Sequence, residues 1–543
     1  MAVEEKDAVV IGAGFGGLYM LHRARGLGLS TVAIERAPDV GGTWYWNTYP
    51  GARCDAESIV YNYSFDPELR QEYQSRWPER YSRQPVILDY ARDVADRLDL
   101  RKDIRFDTTV TRASWDEDSR TWTVETDAGD PIRCRFLISA VGCLSDSQVP
   151  DLPGLSDFRG EWYHTGRWPH EEVDLAGKRV IQIGTGSSGV QSAPVIAETA
   201  GHLTVLQRTP QYCLPAFNAP LTPELIDRSL DRIGQLTARL AQGPVGRFWE
   251  MFGTKRTFED TPEKREAYFE QLWNTAGGAF SMGYVDTMTD PAANEAASEF
   301  VRNKIRSIVQ DPETAAKLLP SYPIGTKRQV IDSGYYEMYN RPNVSLEDIR
   351  ANPIDRITAE GVRLADGRLI EADVIVFATG FDAMTGPLFG LDIEGTDGRT
   401  LREAWAEGPQ TYLGIAAHCY PNLFLLTGPG SPSVLSNVIV SIEQHVDWLV
   451  ALLRRLQEAG VDRIEAAEDA QASWTEHVTD TADETLWPQA DSWYMGANIP
   501  GKPRVFMPYL GGNAFYQGEI DAVAAKDYEG FEFDRTDAEL RTA

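Results

Sequence analysis

Two stretches of the chain repeat one pattern: a short apolar run, a glycine-rich turn, a helix-length segment and a second apolar run. In the first, Ala8-Val9-Val10-Ile11 leads into Gly12-Ala13-Gly14-Phe15-Gly16-Gly17, and Thr31-Val32-Ala33-Ile34 ends at Glu35. In the second, Val180-Ile181-Gln182-Ile183 leads into Gly184-Thr185-Gly186-Ser187-Ser188-Gly189, and Leu203-Thr204-Val205-Leu206 precedes Gln207-Arg208. Short, nearly unbroken apolar runs on either side of a helix predict βαβ units in parallel sheets. Between about Leu221 and Pro320 the β-branched runs thin out and helix starts take over. They are Thr222-Pro223-Glu224, Thr261-Pro262-Glu263, Asp290-Pro291 and Asp311-Pro312-Glu313. Each offers a capping oxygen followed by a proline at the first helical position, which predicts a mostly helical insertion. Strand character returns at Asp373-Val374-Ile375-Val376-Phe377 and at Leu423-Phe424-Leu425-Leu426.

The glycine turns carry specific chemistry. The first glycine permits the tight turn, the second lets backbone N–H groups approach a pyrophosphate, and the third lets helix pack on strand. A carboxylate closing the unit accepts hydrogen bonds from ribose hydroxyls, whereas an arginine there suits a 2′-phosphate. Glu35 and Arg208 therefore predict two different dinucleotides, FAD at the first site and NADP at the second. The cofactor-binding residues predicted here are Gly12, Gly14, Gly17 and Glu35, then Gly184, Gly186, Ser187, Ser188, Gly189 and Arg208.

Apolar runs that end in small residues, at Ile138-Ser139-Ala140-Val141-Gly142, Ala378-Thr379-Gly380 and Thr427-Gly428-Pro429-Gly430, let backbone lie against a ligand. The first two predict where the chain crosses between domains. The expected fold is α/β: two Rossmann-like dinucleotide-binding domains with a mostly helical insertion. Residues 1–143 and 381–543 are expected to form the FAD domain. Residues 144–220 and 325–380 are expected to form the NADP domain, with the insertion at 221–324.

Composition narrows the partners. A net charge of −29 opposes phosphate backbones and anionic lipid, so neither nucleic acid nor a membrane surface is an expected partner. Five cysteines without a CxxC pair predict free thiols, and no metal site is expected. No apolar stretch has the length of a membrane span. The acidic start (Glu4, Glu5, Asp7) leads into a strand and does not read as a signal peptide, so a cytoplasmic location is expected.

Two further motifs lie between the fingerprint and the helical region. One is Gly41-Gly42-Thr43-Trp44, continuing to Tyr49-Pro50-Gly51-Ala52-Arg53-Cys54-Asp55, a glycine- and aromatic-rich loop suited to cover a planar ring. The other runs from Phe158 through Gly160 and His164 to Trp168-Pro169. With these, the chain resembles the type I Baeyer–Villiger monooxygenases, the group of cyclohexanone, phenylacetone and steroid monooxygenases. The second motif matches FxGxxxHxxxWP and the first GGxWxxxxYPGxxxD. Gln207-Arg208-Thr209-Pro210, Gly325-Thr326-Lys327-Arg328, Ala378 to Asp382 and Ser492 to Asn498 match as well. The resemblance spans about Asp7 to Phe531.

It implies an enzyme that uses FAD, NADPH and O2 to convert a ketone to an ester or lactone through a C4a-peroxyflavin anion. The implied catalytic residues are Arg328, whose permanent charge would stabilise that anion, and Asp55, which would orient it. Gly42, Thr43, Trp44, Asp55, Thr209, Lys327, Trp493 and Asn498 are implied cofactor contacts, with Lys327 and the Thr209 hydroxyl beside the 2′-phosphate. Val434 and Leu435 are implied to face the ketone. His164, a general-base candidate by type, is implied to be conformational instead. The expected partners are a small ketone and O2, with the chain a monomer or weak oligomer. The alternatives are an N- or S-oxidising flavin monooxygenase and a non-catalytic flavin redox sensor; an intact Asp55 and Arg328 argue against both.

Overall fold

The computed structural model describes residues 3–231, 253–275 and 277–534. Two separate sheets carry the two fingerprints. In the first, strand Glu4–Ile11 lies between Thr31–Ile34 and Ile132–Ser139, parallel to both. The strand Ile132–Ser139 serves two further neighbours along its length. Its first half pairs antiparallel with Thr121–Thr126, and Leu137–Ser139 pairs parallel with Leu423–Leu425. A C-terminal strand thus returns to the sheet that the N-terminus began.

The second sheet is wholly parallel, in the order Val344–Asp348, His202–Gln207, Arg179–Ile183, Val374–Phe377, Glu161–His164. Side chains alternate across a strand, so each face of this sheet needs its own cover. Val180, Leu203, Val205, Leu346, Val374 and Val376 pack with Phe269, Trp273, Phe300 and Val301 from the helical region. Ile181, Ile183, Leu206, Ile375 and Phe377 pack instead with Ile357, Val362 and Leu364 of a small antiparallel sheet. Both layers explain why these strands read as continuous apolar runs.

Helices begin at each of the four predicted proline starts, at 223, Pro262, Pro291 and Pro312. Asp290 accepts from the N–H groups of Ala292 (2.8 Å) and Ala293 (3.2 Å), and Asp311 from that of Thr314 (2.8 Å). The stretch 232–252 of the expected insertion, and residue 276, lie outside the described residues. Among the described residues no helix is long and apolar enough to cross a membrane, and all five cysteines are free thiols.

Candidate active site

The two glycine turns are close structural copies. Gly12 has φ 104° and Gly184 φ 108°, a region that L side chains rarely occupy. A Cβ on Gly12 would stand 2.7 Å from the carbonyl oxygen of Ala140, just past the end of the neighbouring strand. A Cβ on Gly184 would press on the carbonyl of Ala378 in the same way. The two small-residue segments read as crossing points therefore abut the two fingerprints. Third in each turn, Gly17 and Gly189 sit against the carbonyls of Gly12 and Gly184, where a methyl group has no room.

Both helices that follow, Phe15–Gly26 and Ser187–Thr199, start without a side-chain cap and without an acid in the first turn. Their free N–H groups and positive dipole ends fit a pyrophosphate. The Gly41-Gly42 motif completes the first cradle from the other side, since a Cβ on Gly42 would lie 2.9 Å from the Gly14 Cα. Glu35 is buried, its carboxylate accepting from the N–H of Ala13 (2.7 Å) and of Ala37 (2.8 Å). Burial raises its pKa, and the backbone donors oppose that. These are the features a dinucleotide needs, so the residues present fit FAD at the first turn and NADP at the second.

Trp44 is buried beside this turn, its indole N–H donating to Tyr61 Oη at 3.0 Å, while Thr43 is exposed. Farther along the same loop, Tyr49 donates to Gln191 Oε1 (2.8 Å) and Gln191 Nε2 donates to the Arg53 carbonyl (3.1 Å). Gln191 lies on the second fingerprint helix, so the loop carrying Asp55 is tied to the opposite nucleotide site. Sequence reading missed this residue: one glutamine inside a helix carries no local signal.

Asp55 and Arg328 meet as a bidentate pair. Arg328 Nε donates to Asp55 Oδ2 at 2.9 Å, and Nη2 to Oδ1 at 2.8 Å. The remaining nitrogen, Nη1, donates to the carbonyl oxygen of Val434. Burial works against the guanidinium's charge, but Asp55 and the Tyr494 phenol outweigh it, and the pKa moves further above its ordinary value. Arg328 therefore cannot act as an acid and presents a fixed positive charge. Tyr494, which sequence reading passed over for its neighbour Trp493, is buried against Arg328; burial raises its pKa to about 12 and Arg328 opposes the rise.

An apolar cluster adjoins the pair: Val434 and Leu435 pack with Cys143, Trp493, Tyr494 and Phe506. Nearby, Asn498 Nδ2 donates to the Phe381 carbonyl at 2.9 Å, leaving its buried Oδ1 without a partner. The turn that places Val434 is held in an unusual shape, since Ser433 has φ 40°.

Beside the second turn, the Thr185 hydroxyl donates to the Thr209 carbonyl at 2.9 Å, and Ser188 Oγ lies 3.1 Å from Thr165 Oγ1. Lys327 Nζ sits 4.8 Å above the Tyr322 ring. Its pKa falls to about 8, first through burial and then through Arg208, Arg350 and Arg504; Asp491 partly offsets the fall. His164 immediately precedes Thr165 beside this turn, at the end of the edge strand of the second sheet and buried. Its Nδ1 accepts from the Gly166 N–H at 3.0 Å, and burial first, then Arg167, lower its pKa to about 4. The ring is neutral near pH 7 and engaged in holding a turn. Among the described residues no cluster of three His, Cys, Asp or Glu is placed to hold a metal.

Known proteins share this fold. Residues 5–218 match the flavin-binding monooxygenase-like family. A Baeyer–Villiger monooxygenase of Pseudooceanicola batsensis is 43% identical, aligned over 98% of this chain and 96% of its own length. The phenazine N-monooxygenase PhzNO1 of Lysobacter antibioticus is 42% identical over 97% of this chain and 96% of its own. A solved structure of oxidised steroid monooxygenase bound to NADP superposes with a TM-score of 0.90 at 48% identity, covering 98% of this chain and all of that one.

Proposed function

The chain belongs to the Baeyer–Villiger monooxygenases of the flavin-binding monooxygenase-like family, flavoprotein enzymes using FAD and NADPH, and from that premise we propose how its own residues divide the work. In balance, ketone, O2, NADPH and a proton give ester or lactone, NADP+ and water. Bound FAD supplies the two-electron oxygen chemistry, and NADPH supplies the electrons. The chain supplies position and charge. Of the described residues, those within 1–143 and 381–543 form the FAD domain and those within 144–220 and 325–380 the NADP domain, around the insertion within 221–324. Gly12, Gly14, Gly17 and Glu35, with Gly42, Thr43 and Trp44, hold the flavin dinucleotide. Gly184, Gly186, Ser187, Ser188 and Gly189 hold the nicotinamide dinucleotide, and Arg208, Thr209 and Lys327 hold its 2′-phosphate. Trp493 and Asn498 close over the cofactor side of the site.

One observation carries the catalytic assignment: the bidentate Arg328–Asp55 pair, with Nη1 of the same guanidinium on Val434 at the edge of an apolar cluster. A guanidinium so placed stabilises negative charge that oxygen reduction brings into the site, and it gives up no proton. Asp55 fixes its plane, and Tyr494 contacts it from the cluster side. Val434 and Leu435 face the apolar part of a ketone and keep water from the charge. His164 acts through the turn it holds rather than by proton transfer. Glycine-turn cofactor sites and a strongly acidic surface call for neither nucleic acid nor membrane, and we propose a cytoplasmic monomer or weak oligomer.

The likeness to a phenazine N-monooxygenase supports a second reading, oxygen transfer to a ring nitrogen. A panel of cyclic, aryl and steroid ketones beside nitrogen heteroaromatics, scored by product mass, separates the two. Ester from at least one ketone is expected. N-oxide alone, with no ester from any ketone, would replace the ketone reading by the second.

Charge at Lys327 gives a pH prediction. As pH rises through about 8 the ammonium of the free enzyme is lost, so attraction for the 2′-phosphate falls. We expect kcat/KM for NADPH to decline above that pH while kcat/KM for NADH stays flat there. Lys327→Arg, charged throughout, should move the decline upward. A parallel decline for both nucleotides would place the ionisation elsewhere.

A further inference from the structure

At the open end of the second sheet, the positive charges around Lys327 outnumber the one carboxylate that acts on it, Asp491. In a chain of net charge −29 most surface arginines find a carboxylate, and Arg504 does so, donating to Asp491 at 2.7 Å and to the Pro488 carbonyl at 2.8 Å. Arg208 and Arg350 are both exposed, and among the described residues neither side chain has an ion-pair or hydrogen-bond partner. Strand register brings them together. Asp348 pairs with Gln207, and the Ile349 N–H donates to the Gln207 carbonyl at 2.9 Å. Arg208 and Arg350 therefore leave adjacent parallel strands at the same end, next to Lys327, whose charge both oppose. Like charges held this close repel one another unless something anionic joins them.

We propose that Arg350 is a second guanidinium of the 2′-phosphate site, so that preference for NADPH over NADH rests on Arg208, Lys327 and Arg350 together. A phosphate monoester dianion suits three converging cations: each guanidinium offers a planar fork to two oxygens, and the ammonium serves as a point charge. Arg350 belongs to no glycine fingerprint and lies more than a hundred positions after Arg208. Only the crossover that sets the edge strand beside the fingerprint strand makes them neighbours. The assignment deepens the nucleotide reading and rests on Arg208 and Lys327 marking the 2′-phosphate.

The test is calorimetric titration of the flavin-loaded enzyme with adenosine 2′,5′-bisphosphate and with 5′-AMP, alongside kinetics with NADPH and NADH. Loss of one charge-assisted contact predicts that Arg350→Ala weakens the bisphosphate about tenfold, with 5′-AMP unchanged. KM for NADPH should rise by a similar factor while kcat at saturation holds. Arg350→Lys, which keeps the charge but loses the fork, should recover part of the loss. Equal weakening of both ligands, or none, overturns the proposal. Arg208→Ala keeps the two readings apart. If it weakens the bisphosphate and Arg350→Ala does not, Arg350 alone is misassigned. If Arg208→Ala also has no effect, the 2′-phosphate lies elsewhere.

Discussion

Arg328→Ala is expected to retain its flavin and lose ester formation by about two to three orders of magnitude, the usual cost of removing a preorganised charge from a reacting site. The geometry separates these outcomes. Arg328 contacts Asp55, Val434 and Tyr494, whereas the proposed flavin cradle is built from Gly12 to Gly17, Glu35 and Gly42. NADPH oxidation should therefore continue while oxygen is no longer inserted into the ketone. Asp55, left without its partner, complicates the alanine variant, because a carboxylate stripped of a bidentate cation destabilises its surroundings. Arg328→Lys answers this: it keeps the charge beside Asp55 but loses the planar fork and the reach of Nη1 to the Val434 carbonyl. Its flavin content should be normal and its ester yield intermediate. Ester at the wild-type rate from flavin-loaded Arg328→Ala would remove Arg328 from the chemistry.

The second large effect belongs to the third glycine of each turn. A Cβ on Gly17 would lie 2.8 Å from the Gly12 carbonyl carbon and closer still to its oxygen, and the obstacle is backbone that cannot rotate away. The helix Phe15–Gly26 would have to lift off the strand, which opens the pyrophosphate cradle and strains a buried core at about 1–3 kcal/mol or more. Gly17→Ala is expected to purify without its yellow flavin, read from absorbance against protein concentration. On Gly189 a Cβ would lie 2.5 Å from the Gly184 oxygen, so Gly189→Ala should stay yellow and lose NADPH binding instead. Gly26, where a Cβ meets nothing within 4 Å, supplies the control: alanine there should leave both cofactors in place. A flavin-replete Gly17→Ala would contradict the division of the two sites.

Much of the fold is written in local pattern. The paired strand–turn–helix units, the closing residues Glu35 and Arg208 and the proline-started helices all depend on residues a few positions apart, and those residue types have few other uses in that order. The small-residue segments were legible for the same reason: small residues after a buried strand leave backbone close to whatever lies opposite, and Ala140 and Ala378 abut the glycine turns. The candidate catalytic pair was legible only through motif resemblance. Asp55 and Arg328 are 273 positions apart, and nothing near either one requires the other. Tyr494, Gln191 and Arg350 stayed hidden because a tyrosine, a glutamine or an exposed arginine gains its meaning from what faces it.

The sequence by itself determined two dinucleotide turns, their order and the sign of charge that closes each unit, because backbone strain and capping act over a single turn of chain. Only the tertiary structure decided that Asp55 grips Arg328, that Val434 offers its carbonyl to the same guanidinium, and that Arg350 stands beside Arg208. Those contacts rest on sheet register and on how segments a hundred or more residues apart pack, which the burial of both faces of two sheets fixes all at once.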